Sequence, residues 1–170
     1  MNIPITYRGG SKEAQPHITQ AIEALPSHWS EAVPPRTSIE IVSRERLPHV
    51  ENTWGKTSTV PRFWFVKMVS TEQFQPIRIC ICLQKMPDKE YARLFKRDIL
   101  TGILLSTFTQ KHIYNTVKET LDEWVPMRYQ MGAVVAEDLA SLILDPEANP
   151  RLERFDKELT KKLRELIAAT

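Results

Sequence analysis

The predicted secondary-structure elements fall into two blocks, with strands mainly in the first half of the chain and helices in the second. A helix over residues 16–25 comes first, and alternating, β-branched patterns then predict three consecutive strands. Strands and helices that are segregated in this way indicate an α+β fold. We therefore expect a single domain over residues 1–170, with a small, mainly antiparallel three-stranded sheet (37–44, 62–69 and 77–85) and a bundle of about four helices (89–108, 110–125, 132–144 and 151–168). The short connection between strands 62–69 and 77–85 fits an antiparallel pair. Asp88 is a good N-cap for helix 89–108, with Glu90 in the favourable first turn.

The distribution of charge and apolar residues argues against a nucleic-acid partner and against a membrane span. The net charge is only +2, and Lys and Arg are interleaved with Asp and Glu. Nucleic-acid-binding proteins usually concentrate a basic excess on one face. No apolar run approaches the roughly 18 residues of a membrane span. The first ten residues show no charged region followed by an apolar core, so we predict no secretory signal and expect a cytoplasmic protein.

Both cysteines lie on the predicted strand 77–85. Alternation places its aliphatic residues on the core face and Cys80 and Cys82 on the other; the aliphatic residues are Ile77, Ile79, Ile81 and Leu83. Cysteines two positions apart on a regular strand point in parallel, which is poor geometry for a disulfide. Because no further Cys or His is near in sequence, we predict two reduced, partly buried thiols rather than a metal site.

Residues 55–57 read Gly-Lys-Thr, which is how a phosphate-binding loop ends. The complete motif has another glycine five positions earlier, where this chain has Val50. A β pattern rather than a helix follows Thr57, so no helix N-terminus is available to receive a phosphate. The sequence therefore predicts no nucleotide-binding site, and we interpret this stretch as a polar turn.

The strand at residues 62–68 partly matches the RNA-stacking strand of RNA-recognition domains. Both glycines of that pattern are replaced, by Phe63 and Trp64, and the expected helix between the first two strands is missing from the predicted order. Aromatic stacking platforms also normally accompany a basic groove. We therefore interpret the aromatic residues as part of a packed sheet, and keep nucleic-acid binding through strand 62–68 as an alternative.

A polar stripe runs along the otherwise apolar helix 89–108. Arg93, Arg97 and Thr101 recur every four residues, and Asp98 lies beside them. The remaining residues are apolar around most of the circumference, so the helix should be largely buried. The stripe either reaches solvent along one edge of the helix, as most charged side chains do, or faces a cleft that holds a partner.

Residues 137–146 read EDLASLILDP. This stretch resembles the glutamate helix of zincin metallopeptidases, particularly the minimal gluzincin-type protease domains of bacterial toxins. In that family the helix reads roughly E-D/F-F-A-E, often continues to D/N-P, and supplies the third zinc ligand through its first glutamate. The resemblance places Glu137 at the ligand position and Tyr129, eight residues upstream, where a tyrosine often assists catalysis. The predicted order of a leading helix, a small sheet, a long buried helix and a glutamate helix is similar too.

The long helix departs from the zincin pattern. The family carries H-E-x-x-H there, in which two histidines bind zinc and the glutamate activates the metal-bound water. The corresponding residues read Arg97-Asp98-Ile99-Leu100-Thr101, and the motif occurs nowhere in the chain. Arginine has no lone pair to donate to a metal. The four histidines, at 17, 28, 49 and 112, fit no ligand spacing, so we expect neither a metal nor another cofactor.

If the resemblance holds, an ion pair can replace the metal. Arg97 would occupy the zinc position with Glu137 opposite, because a guanidinium and a carboxylate satisfy each other. We predict that these two residues bridge helices 89–108 and 132–144, and a separation beyond about 8 Å would exclude direct pairing.

These observations support three functional hypotheses. The first is a non-catalytic protein-binding or regulatory module on a degenerate zincin-like scaffold, since zincin clefts hold extended peptides against an edge strand and this property can survive loss of the metal. Its partner would be a protein or peptide, or a second copy of the chain. The second is an enzyme of unrecognised class that uses Glu137, Asp98 and Tyr129. The third is the nucleic-acid-binding alternative above.

Overall fold

The computed structural model describes residues 1–43, 63–67, 77–83, 85–86, 88–121, 129–154 and 156–169, with the backbone alone for 63–67 and 129–131. The elements in chain order are β1 (Ile5–Arg8), α1 (Gln15–Ala24), α2 (Ser27–Glu31), β2 (Thr37–Val42), β3 (Phe63–Lys67), β4 (Ile77–Cys82), α3 (Lys89–Thr107), α4 (Lys111–Thr120), α5 (Tyr129–Leu144) and α6 (Lys157–Ala168). Short 3₁₀ helices cover Lys12–Ala14 and Arg151–Arg154. The Gly-Lys-Thr stretch at 55–57 lies outside the described residues.

The sheet differs from the three-stranded, mainly antiparallel sheet that the sequence predicts. It has four described strands in the order β1-β2-β4-β3. Strand β1 pairs with β2 in parallel, and β2 pairs with β4 in parallel. The antiparallel pair is β3 with β4, which the short connection between those two strands correctly indicated. The prediction of a mainly antiparallel sheet is therefore wrong, although the separation of strands and helices remains that of an α+β fold.

Strand β1 was missed because it is short and bounded by residues that are typical of turns. Ile5 and Tyr7 face the core, and the strand lies between Pro4 and the pair Gly9-Gly10. At Gly10 the chain passes so close to β2 that an added Cβ would lie 2.5 Å from Cγ2 of Ile41. Helix α1 lies in the connection between β1 and β2. The two strands run parallel, as is usual for strands that a helix connects.

Helix α3 is the centre of the domain. Asp88 caps its N-terminus by accepting a hydrogen bond from the Tyr91 N–H at 2.8 Å, and Glu90 lies in its first turn, as the sequence predicted. The helix packs against α1, α5, β3 and β4. Its buried residues join the inner face of the sheet in one core, whose largest fully buried members include Ile18, Ile39, Ile79, Phe95, Ile99 and Ile103.

The other helices keep their predicted positions with changed boundaries. Helix α5 begins three residues before the predicted start at 132, and the end of the predicted helix 110–125 lies partly outside the described residues. The predicted helix 151–168 is divided into the 3₁₀ helix Arg151–Arg154 and α6, because Asp156 starts a new helix by accepting a hydrogen bond from the Glu158 N–H. This division brings Arg151 beside α5.

Candidate functional site

The polar stripe of α3 has two different environments. Arg93 is exposed and forms a two-point hydrogen-bonded ion pair with Glu90, so this part of the stripe is a solvated edge. One turn later the helix enters the core, and the side chain of Arg97 is only 26% exposed. Thr101 is 1% exposed and donates its hydroxyl hydrogen bond to the Arg97 carbonyl at 2.7 Å. The stripe is therefore solvated at Arg93 and enclosed at Arg97 and Thr101.

The structure brings Arg97 and Glu137 together between α3 and α5. Nη1 of Arg97 lies 3.6 Å from Oε1 of Glu137, well inside the distance that the ion-pair hypothesis requires. The Glu137 side chain is 21% exposed, so both charges are mostly enclosed. Arg97 and Glu137 are thus in direct electrostatic contact, as the ion-pair hypothesis predicts.

The Arg97–Glu137 pair is not a bidentate fork. Nη2 of Arg97 donates a hydrogen bond at 3.2 Å to Oδ1 of its neighbour Asp98, which is 7% exposed. The guanidinium is therefore shared between the carboxylates of Asp98 and Glu137. Its Nε is buried and donates to no acceptor among the described residues. Arg97 holds two acidic groups at the interface of α3 and α5 instead of satisfying one of them completely.

A second arginine, which the sequence analysis did not identify, also contacts Glu137. Nη2 of Arg151, in the 3₁₀ helix, lies 3.3 Å from the same Oε1 that faces Arg97. The Arg151 side chain is 61% exposed, so this contact lies at the solvent side of the cluster. Glu137 consequently joins three elements: α3 through Arg97, its own helix α5, and the 3₁₀ helix through Arg151.

Asp138 fixes the position of the Arg151 backbone. Its two carboxylate oxygens accept hydrogen bonds at 2.8 Å from the backbone N–H groups of Arg151 and Leu152. Asp138 is 2% exposed, and this burial raises the pKa of its carboxyl group, while the two backbone hydrogen bonds act in the opposite direction. Consecutive carboxylates at 137 and 138 therefore hold the side chain and the backbone of one residue. The sequence signal was Pro150, which often precedes a helical turn whose N–H groups need acceptors.

The remaining predicted site residue, Tyr129, begins α5. Glu137 lies eight positions further along the helix, which corresponds to about 12 Å along the helix axis. Its side chain is outside what the structure describes. The structure thus brings Arg97, Asp98 and Glu137 into one cluster with Arg151 and Asp138, and it leaves the role of Tyr129 as a prediction.

The described histidines are not among the residues of this cluster. His17 packs edge-on against Phe95, with ring centroids 6.5 Å apart, and its pKa is lowered by burial and then by Lys96. His28 contacts the Leu166 carbonyl at 3.0 Å. His112 is exposed on α4, and His49 lies outside the described residues. Within the described part of the chain, no group of three or more His, Cys, Asp or Glu side chains has a metal-binding arrangement.

A separate charged cluster lies on the sheet face opposite the helices. Glu40 of β2 lies between Arg8, with a contact of 3.0 Å, and Arg78, with a contact of 3.5 Å. The thiol of Cys80 lies 4.0 Å from the same carboxylate. Burial, followed by the negative charge of Glu40, raises the pKa of the Cys80 thiol to about 12. Neither cysteine forms a disulfide, as predicted. The burial of Cys80 beside acidic charge disfavours its reactive thiolate form.

Among the helices that the structure describes, none has both the length and the apolar composition needed to cross a bilayer. Comparison of the chain with protein-family models, with curated proteins and with solved structures found no match. The arrangement of the described residues is therefore the basis for any functional conclusion.

Proposed function

We propose that this chain is a non-catalytic protein-binding module on a zincin-like scaffold in which an ion pair has replaced the metal. The observation that carries the proposal is the 3.6 Å contact between Arg97 and Glu137. These residues occupy the positions that the resemblance assigns to a zinc-binding histidine and to the glutamate ligand. Strand β1 precedes α1, but from α1 onward the order of a helix, three strands, a long buried helix and a glutamate helix supports the same scaffold.

The chemistry of Arg97 is incompatible with metal binding at this position. A guanidinium stays protonated in proteins and has no lone pair for a metal, and its charge repels a divalent cation. Arg97 also forms an ion pair with Glu137, whose Oε1 contacts both Arg97 and Arg151. Asp98, at the place of the catalytic glutamate, accepts a hydrogen bond from Arg97. The structure describes the side chains of most residues at the zincin-motif positions. All of these side chains are engaged in packing or in ion pairing.

The edge strand β3 offers a means of binding a partner. The N–H of Ile77 donates to the Arg36 carbonyl and that of Leu83 to the Val42 carbonyl, so the odd-numbered residues of β4 direct their backbone groups to β2. The backbone groups of Arg78 and Cys80 therefore face β3. Their partners in the register are Val66 and Trp64.

The alternate residues of β3 must then direct their backbone groups away from the sheet. These residues are Phe63, Phe65 and Lys67, and no described strand pairs with that edge. An extended peptide can add to such an edge through main-chain hydrogen bonds. Met1 is the one large apolar side chain that is exposed among the described residues, so the described surface favours backbone-mediated binding over an apolar patch.

We place the module in the cytoplasm. Cys80 and Cys82 form no disulfide, which is consistent with that compartment, where structural disulfides are rare. The charge of the chain, at +2, gives no support for a nucleic-acid partner.

Selection from a random peptide library, followed by affinity measurements on two variants, tests the binding mode. Lys67→Pro removes an outward N–H from β3 and leaves the N–H groups that face β4, whereas Lys67→Ala changes only the side chain. We expect selected peptides to bind Lys67→Pro at least about tenfold more weakly than the wild type and to bind Lys67→Ala equally well, because one lost main-chain hydrogen bond and a blocked edge weaken pairing. Equal binding to Lys67→Pro, or no enriched peptide, would refute this binding mode.

A further inference from the structure

The sheet has a second open edge, at β1. Strand β1 pairs with β2 on one side, and no described strand lies on its other side. This edge is at the opposite end of the strand order from β3 and shares no residue with the Arg97 cluster. It is therefore independent of the peptide-binding edge that is proposed above.

The hydrogen bonds to β2 show which backbone groups of β1 point outwards. The Pro4 carbonyl accepts an N–H from β2 at 2.9 Å, and the Arg8 carbonyl accepts the N–H of the residue after β2 at 3.2 Å. In a parallel pair, alternate residues direct both of their backbone groups to the neighbouring strand, so the backbone of Thr6 also faces β2. The backbone groups of Ile5 and Tyr7 therefore point away from the sheet.

The side chains of β1 do not oppose pairing with another strand. Thr6 is exposed on the face away from the helices, and Ile5 and Tyr7 are half-buried on the helix side. Arg8 is the one charged residue of β1, and its Nε lies 3.0 Å from Oε1 of Glu40. Edge strands commonly avoid pairing through an uncompensated charge or a proline within the strand, and β1 contains neither.

A second copy of the chain matches this edge. The net charge of +2 leaves little repulsion between two copies. If two β1 strands run antiparallel with a twofold axis at Thr6, Ile5 of each copy lies opposite Tyr7 of the other, and each such pair exchanges two main-chain hydrogen bonds. This register pairs every outward residue of both strands. It also places a β-branched residue opposite an aromatic one and Thr6 opposite Thr6, which are favourable cross-strand pairs.

We infer that two copies of this chain associate through β1 as an antiparallel, twofold-symmetric dimer. The two sheets then form one continuous sheet across the dimer, and the β1 edge is closed in both copies. The paired segment is only four residues long. We therefore expect a weak dimer, with a Kd of roughly 0.1–1 mM, rather than a permanent one.

Sedimentation equilibrium of the full chain tests the association. Over concentrations up to about 1 mM, we expect the data to fit a monomer–dimer equilibrium. A monomer at every concentration, or a main species larger than a dimer, would overturn the inference.

Substitutions at Thr6 test the position of the twofold axis. Thr6→Lys places two positive charges directly opposite each other, so it should weaken dimerisation at least about tenfold. Thr6→Val keeps a β-branched, neutral side chain and should dimerise about as well as the wild type. Lys67→Pro, on the other edge of the sheet, should also leave dimerisation unchanged. Equal dimerisation of Thr6→Lys, or loss of dimerisation in Lys67→Pro, would contradict pairing through β1.

A disulfide across the axis tests the register directly. Residues that face each other without hydrogen bonding in an antiparallel pair have Cα atoms about 4.5 Å apart, which a disulfide can span. In a Cys82→Ser background, Thr6→Cys should therefore form covalent dimers under mild oxidation faster than Thr19→Cys, which places an equally exposed cysteine on α1. Equal rates of dimer formation in these two variants would overturn the proposed register.

Discussion

Arg97 on α3 and Glu137 on α5 face each other across the helix interface, with 3.6 Å between Nη1 and Oε1. The contact connects residues that are 40 positions apart, and each has a second partner of opposite charge, Asp98 for Arg97 and Arg151 for Glu137. The result is a chain of alternating charges from the buried side of α3 to the solvent. Such a network favours one arrangement of the two helices.

A double-mutant cycle measures the coupling within this pair. Arg97→Leu leaves Asp98 and Glu137 without their shared cation, and Glu137→Leu leaves Arg97 with one carboxylate fewer. Because both side chains are about three-quarters buried, we expect each single variant to lose about 1–3 kcal/mol of unfolding free energy. The double variant should lose less than the sum of the two losses. Urea denaturation provides the four values.

Arg93→Leu is the matched control for that cycle, because it removes an arginine one turn away on the same helix. Arg93 is 59% exposed and pairs with an exposed glutamate. Its replacement should have a smaller effect than that of Arg97, since solvent screens exposed pairs. Additive losses at positions 97 and 137 would show that the two residues are not coupled.

Asp138→Asn should change the pH dependence of stability. Burial raises the pKa of Asp138 in the folded protein above its ordinary value of 3.8, so the folded state binds the proton more tightly than the unfolded state. The contribution of this carboxyl is therefore most favourable below 3.8 and is lost as the pH rises from there through the raised pKa. The asparagine variant has no such group, so the difference in unfolding free energy, wild type minus variant, should fall across that window.

Measurement of urea unfolding at several values between about pH 3 and pH 7 gives this difference. Above the window the variant should still be less stable by about 1–3 kcal/mol, because an amide oxygen cannot accept both N–H groups of Arg151 and Leu152 with two separate oxygens. A difference that rises with pH in this window would mean that the pKa of Asp138 is lowered rather than raised.

The two thiols should differ strongly in reactivity. With a pKa of about 12, Cys80 carries about a thousandfold less thiolate at pH 8 than an ordinary cysteine, and it is also 2% exposed. Cys82 is half-exposed. Alkylation of the native protein followed by mass spectrometry should therefore label Cys82 first. Cys80→Ser should leave the fast reaction unchanged, whereas Cys82→Ser should remove it; rapid labelling of Cys80 would contradict its buried position beside Glu40.

Local patterns predicted much of this structure. The alternation of Ile77, Ile79 and Ile81 correctly identified the core face of β4, and Asp88 correctly marked the start of α3. Both predictions depend on residues that are close in sequence. The Arg97–Glu137 contact was predicted for a different reason, since the resemblance to the zincin pattern pairs two positions that lie on distant helices.

The order of the strands in the sheet was harder to predict from the sequence. Strand β4 lies between β2 and β3, although β3 precedes it in the chain, and no periodicity in either strand records this insertion. The sequence also did not predict the contacts of Glu40 with Arg78 and of Asp138 with the backbone of Arg151. These contacts join residues that come together only after the chain has folded. Arg151 was assigned to a continuous helix, and this assignment hid its contact with Glu137.

The central claim is that the cluster around Arg97 is a zinc site whose ligands have been replaced. The variant Arg97→His/Asp98→Glu/Thr101→His recreates H-E-x-x-H on α3 opposite Glu137. Two controls accompany it. Lys89→His/Arg93→His places a histidine pair with the same spacing on an exposed part of the same helix, and Glu137→Gln in the triple variant removes the third ligand. Thr101 is 1% exposed, so a histidine there can disturb the core. Circular dichroism therefore first establishes that the triple variant is folded. The single variant Arg97→His, with Asp98 and Glu137 unchanged, is a version of the site that leaves Thr101 in place.

The decisive measurement is the zinc affinity of these folded variants by competition with a chelating dye. The account predicts that the triple variant binds one zinc ion at least about a hundredfold more tightly than the exposed histidine pair, and that Glu137→Gln removes about tenfold or more of this gain. Zinc affinity no greater than that of the exposed pair, and insensitive to Glu137, would contradict the claim that this cluster occupies a former metal site.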